Sequence, residues 1–159
     1  MFGKMRLESD SIGTMEVPEE AYYGVQTLRA KENFAITGNK MHPVFIKELA
    51  KVKKACAITN RNAGSLELEL AEAIIRACDE VIRGRFSEEF IVDAIQGGAG
   101  TSANMNMNEV LAKHMPINLP ANQKSTSVST SKKIRNMPKR FGKTLNQSPT
   151  SGSGSRLFS

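Results

Sequence analysis

The chain has 159 residues, 40% of them hydrophobic, which is enough for a packed core. No apolar run approaches the roughly 20 residues that a membrane span requires, and the N-terminus has no signal-like apolar region, so a cytoplasmic protein is expected. The formal charge of +6 is uneven: residues 1–113 carry 14 Lys/Arg and 16 Asp/Glu, whereas residues 114–159 carry 8 Lys/Arg and no acid.

That break divides the chain into an N-terminal domain, 1–113, and a basic Ser/Thr/Pro-rich tail, 114–159, expected to be disordered. In the first segment, Arg6 to Val17 alternates in an extended pattern around Ile12 and Gly13 and is stopped by Pro18, which predicts a small hairpin arm. Val25, Leu28 and Ala30 then predict a short helix over 25–33. Pro43 suits the first turn of a long amphipathic helix ending before Gly64, with Phe45, Leu49, Val52, Ala55 or Cys56, and Thr59 on its apolar face. A further helix over 68–83 carries a wide stripe of Leu70, Ala71, Ile74, Ile75, Cys78, Val81 and Ile82, with Gly84 as its stop. These two helices form an αα-hairpin. The connector 86–95 holds a brief extended run, FIVDAI.

The segment QGGAGTSANMNMNEVLA, residues 96–112, puts a glycine-rich turn directly ahead of a helix. Gly97, Gly98, Ala99 and Gly100 permit close backbone approach, Thr101 and Ser102 supply hydroxyls, and the helix contributes its positive end. The arrangement suits a carboxylate or phosphate, although the same spacing also serves as a plain tight connection. It is neither a P-loop nor a dinucleotide fingerprint, because the lysine of the one and the G-x-G-x-x-G of the other are missing. Cys56 and Cys78 read as packed, reduced thiols, and His42 and His114 as exposed loop histidines. The tail has basic charge without a stacking platform, so specific nucleic-acid binding is not expected.

QGGAGTSANMNMNEVLA resembles the first signature segment of the aspartase/fumarase superfamily. The resemblance continues upstream through RLESDSIGTMEVPEEAYYGVQTLRAKENF and ACDEVIRGRFSEEFIVDAIQGGAGTS, covering about residues 6–113. Tyr22 to Arg29 and Gly97 to Ser102 are similar to the aspartate ammonia-lyase branch rather than to class II fumarase, with Gln26 where a histidine is common.

The resemblance implies a mainly α fold and a cofactor-free elimination, L-aspartate to fumarate plus ammonia, with a small dicarboxylate as ligand. It implies a homotetramer whose active sites each combine three segments from three subunits. On the matching positions it makes Thr101 a carboxylate hydrogen-bonding residue, supported by Ser102, Gly100 and Asn104, with no metal ligand. It assigns no catalytic residue here: the serine-base loop and the second signature segment find no match in 114–159. The break near residue 113 points to a change of reading frame or a gene-model error, with a genuine extension as the alternative, and a chain inactive alone is expected. Asn108 and Glu109 are read as structural. The alternatives are a class II fumarase-like fragment acting on malate, or a non-catalytic chain binding lyase subunits or polyanions through its tail.

Overall fold

In a computed structural model, which describes residues 3–115, a two-stranded arm leads into four helices. The strands β1 (Met5–Ser9) and β2 (Thr14–Pro18) pair antiparallel, Arg6 opposite Val17 and Ser9 opposite Thr14. The connecting turn is closed by Asp10, whose Oδ1 accepts from the amides of Ile12 and Gly13. Arg29 then ties the arm to the first helix through Asp10 Oδ2 at 2.9 Å and the Gly13 carbonyl at 2.9 Å.

The helices are α1 (Val25–Asn33), α2 (Pro43–Asn62), α3 (Leu68–Ile82) and α4 (Thr101–His114). Helix α2 begins with Pro43 at its first position and with His42 as cap, the ring Nδ1 accepting from Val44 N. Both α2 and α3 end in a left-handed glycine, Gly64 and Gly84. After each, the next residue's amide reaches back across the last turn to satisfy a free carbonyl, Ser65 N to Asn60 O and Arg85 N to Glu80 O. The two helices pack against each other as the expected αα-hairpin, and residues from them, with Phe90, Val92, Met107, Val110 and Leu111, form the core.

The extended run expected in the connector does not form. Residues Ser87–Glu89 make one 3₁₀ turn, and only an isolated bridge joins Asp93 to Lys40. The Asp93 carboxylate instead accepts from the amides of Ile36, Thr37, Gly38 and Ile95 and from the Thr37 hydroxyl, pinning the loop after α1 to the connector.

The face of α2 also differs from expectation. Its buried residues are Ile46, Ala50, Lys53, Cys56, Ala57 and Asn60, whereas Phe45 and Val52 are half exposed. The helix carries two apolar stripes one residue apart, and α3 takes the one with the small alanines, which permits closer approach. His114 is likewise not a loop residue. It closes α4, half buried, with its ring 4.6 Å from Phe86, itself 4.6 Å from Tyr22. The expected disorder of the tail concerns residues 116–159, which lie outside the described residues.

Candidate functional site

The glycine-rich turn is built by what lies behind it. A side chain at Gly97 would place its Cβ 3.1 Å from the Phe34 ring, a tight contact, so glycine lets the turn rest on that ring without displacing it. Gly98, Ala99 and Gly100 follow with φ of 74°, 52° and 81°, three consecutive left-handed residues. For Ala99 this conformation costs about 1–2 kcal/mol, a strain often found where backbone is shaped for a ligand. Gly100 is the N-cap of α4, and Thr101 is its first residue.

Gln96 holds the turn from the other side. Its Oε1 accepts from Ala103 N at 2.7 Å and its Nε2 donates to Asp93 O at 3.0 Å, so one amide of the helix start is capped and the turn is coupled to the Asp93 clamp. No sequence signal marked this glutamine beyond its place beside the glycines. Among the described residues, no acceptor meets the amides of Ala99 or Ser102. The start of α4 thus keeps unsatisfied donors at its positive end, with no carboxylate in its first turn.

Of the four expected ligand-binding residues, all lie within this turn and the first turn of the helix. Thr101 is exposed and its hydroxyl donates to Gly98 O at 2.6 Å, so engaging an anion through that hydroxyl means exchanging this hydrogen bond. Ser102 is buried, Gly100 half buried, and Asn104, one turn beyond Thr101, shares a face with it. Asn104 Oδ1 accepts from Lys53 Nζ at 2.6 Å. Nothing in the sequence singles out Lys53, because on α2 it reads as one more solvated lysine beside Lys51 and Lys54.

Glu109 is fully employed in holding the fold. Its carboxylate accepts from the amides of Gly24, Gln26 and Thr27 and from the Thr27 hydroxyl, while Glu8 accepts from Val25 N. Two carboxylates from distant segments therefore cap the start of α1, which has no side-chain cap of its own. Both crowd Gly24, where a Cβ would lie 2.7 Å from Glu8 Oε2 and 2.9 Å from Glu109 Cδ. Burial pushes the Glu109 carboxyl above its usual range, with the Thr27, Gln26 and Gly24 donors acting against it. Asn106 is structural in the same way, accepting from Ile91 N and donating to Glu89 O.

The remaining candidates stay quiet. Burial pushes the Cys78 thiol up to about 12, and Cys56 is also raised, so both are inert thiols between α2 and α3. Among the described residues no group of three or more His, Cys, Asp or Glu side chains is placed to hold a metal. No described helix is long and apolar enough to cross a membrane. A cleft of ≈ 430 Å³ lies between the start of α2 and the end of α3, lined by Met41, Ile46, Val81 and Phe90 with Lys40 and Lys47, and the glycine turn takes no part in it.

Comparison with known proteins identifies relatives of the chain and of its fold. A family model described as Lyase matches residues 13–137, extending beyond the change of composition at 113. An aspartate ammonia-lyase from a Bacillus species is 56% identical over 108 residues, 68% of this chain and 23% of that protein. The chain therefore spans about a quarter of the length of the curated relatives it matches. Among solved structures, a fumarate lyase:delta crystallin from Brucella melitensis in native form is 46% identical with a TM-score of 0.69, covering 70% of this chain and 26% of that one. A class II fumarase from Schistosoma mansoni is 38% identical with a TM-score of 0.68, covering 70% and 24%.

Proposed function

The chain belongs to the aspartase/fumarase lyase family, and from that membership we propose that it supplies the carboxylate-binding turn of an aspartate ammonia-lyase site. The observation that carries the proposal is the run of left-handed residues 98–100 ahead of α4, which leaves backbone donors and the Thr101 hydroxyl at a positive helix end. In the elimination, a base removes a proton from the carbon beside the side-chain carboxylate of L-aspartate. The carbon–nitrogen bond breaks, ammonia leaves and fumarate remains. Negative charge grows on the carboxylate as the proton departs, and fixed donors aimed at it lower the barrier.

The role proposed for each residue follows from that charge. Thr101 donates to one carboxylate oxygen once its hydroxyl leaves Gly98 O. The amides of Ala99 and Ser102 supply further donors, Gly100 allows the approach, and Asn104 adds its side-chain amide. No described group near the turn is free to act as the base. The carboxylates of Asp93 and Glu109 are committed to backbone amides, and Lys53 to Asn104. The proton acceptor is accordingly proposed to come from another segment, in an assembly with further lyase subunits. Malate and fumarate as the substrate pair form the second reading, which the likeness to a class II fumarase favours.

Titration calorimetry of the 159-residue chain with fumarate tests this. Saturable binding is expected, weakened about tenfold in Thr101→Val by loss of one hydrogen bond to a charged group. Absence of binding, or equal binding by the variant, overturns the assignment. An ultraviolet assay of fumarate formation from aspartate or malate should show no turnover by the chain alone.

A further inference from the structure

Lys53 is 1% exposed, and the group its ammonium meets is neutral: Nζ donates to Asn104 Oδ1 at 2.6 Å. Among the described residues it makes no ion pair with an acid. An ammonium carries three hydrogens and loses a large hydration energy on burial, and a single amide oxygen compensates little of that. Burial pushes its pKa down, the thiols of Cys56 and Cys78 opposing. Methionine would fill the same space between α2 and α4 at no such cost, so packing does not account for a lysine at this position.

The chemistry of the pair suggests what does. An asparagine amide can turn either its oxygen or its NH2 towards a neighbour, and the two ends attract opposite charges. A lysine ammonium donates only. Placed against Asn104, it takes the oxygen and leaves only the Nδ2 hydrogens for a ligand. Were the amide to flip, an oxygen would face an incoming carboxylate and repel it. Asn104 stands three residues after Thr101 in the first turn of α4, on the same face.

We propose that Lys53 is a positioning residue for the anion-binding turn, fixing the Asn104 amide so that it donates to a bound carboxylate. The inference rests on the reading of residues 97–104 as a dicarboxylate site. It adds a residue from a different helix, 51 positions away in sequence, that touches no ligand itself.

Four forms of the full chain test it: wild type, Lys53→Met, Lys53→Arg and Asn104→Asp; the first comparison is of wild type with Lys53→Met and Asn104→Asp. Asn104→Asp keeps a partner for the buried ammonium and replaces only the NH2 by an oxygen, so it is the variant expected to fold whatever happens to Lys53→Met. Calorimetric titration with fumarate should show binding weakened about tenfold or more in Lys53→Met and in Asn104→Asp relative to wild type, the cost of one misdirected hydrogen bond to a charged ligand. Lys53→Arg, which retains a donor-only cation, should bind more tightly than Lys53→Met. Wild-type affinity in Asn104→Asp, or in a folded Lys53→Met, overturns the proposal. If wild type itself binds no fumarate, the reading of the turn fails, and the side-chain amide signals of Asn104 in nitrogen-15 spectra still decide the placement. They should be dispersed in wild type and move to the random-coil position in Lys53→Met, or, if that variant does not fold, in Lys53→Arg they should remain dispersed. Signals at the random-coil position in wild type overturn it.

Discussion

Glu109 shows how one side chain can organise segments far apart in sequence. Its carboxylate serves three amides and a hydroxyl at the start of α1, more than 80 residues earlier, and Gly24 keeps the space open for it. Removing it strands several buried donors at once. Glu109→Ala is therefore expected to lower the unfolding free energy by about 3 kcal/mol or more in urea denaturation followed by circular dichroism. A loss within experimental error of zero would show that water replaces the cap. A structural role for Glu109 was legible from its place beyond the turn, but its partner was not, since no local pattern announces a cap delivered from another element. Lys53 was illegible for a related reason: charge in a sequence reads as exposure, and only the packing of α2 on α4 shows this amine buried.

At the scale of elements, local chemistry made most of the architecture readable. The Asp10 to Gly13 turn, Pro43 at the start of α2, and Gly64 and Gly84 at the helix ends are signals that need no tertiary context, and the elements follow them closely. The face of α2 lies one residue from the one its pattern suggests because two apolar stripes compete, and the small alanines Ala50 and Ala57 of one stripe let α3 pack against it. The connector 86–95 misled because its alternation serves not a strand but the Asp93 clamp. That clamp predicts a pH effect. Hydrogen bonds led by the one from Ile95 N, opposed by burial, hold the Asp93 carboxyl far below its ordinary 3.8. A depressed carboxyl stabilises the fold fully above its unfolded value and loses that contribution as pH falls below 3.8 towards the folded value. Asp93→Asn should flatten the acid side of a plot of melting temperature against pH relative to wild type. Parallel curves for the two proteins would remove Asp93 from the explanation of acid stability.

For the whole molecule, the site and the scaffold are separable. The scaffold of residues 3–115 closes around its own core, with α1 capped from β1 and α4, and with Gln96 and Asp93 fixing the approach to the turn. The candidate site is one exposed corner of that scaffold, where the donors on offer come from backbone geometry rather than from a cluster of acids and bases. Its family was legible in the sequence because the turn and the arm keep their order and spacing, and the lyase match over residues 13–137 agrees. What the sequence could not supply was the second layer, Phe34, Gln96 and Lys53, that holds the turn in place. Residue-resolved nitrogen-15 spectra of the full chain titrated with fumarate address the central claim most directly. Saturable shifts should centre on the amides of Ala99, Gly100, Thr101 and Ser102 and reach Asn104. Shifts centred instead on the cleft of His42 and Lys47, or no saturable shift at the turn, would contradict it.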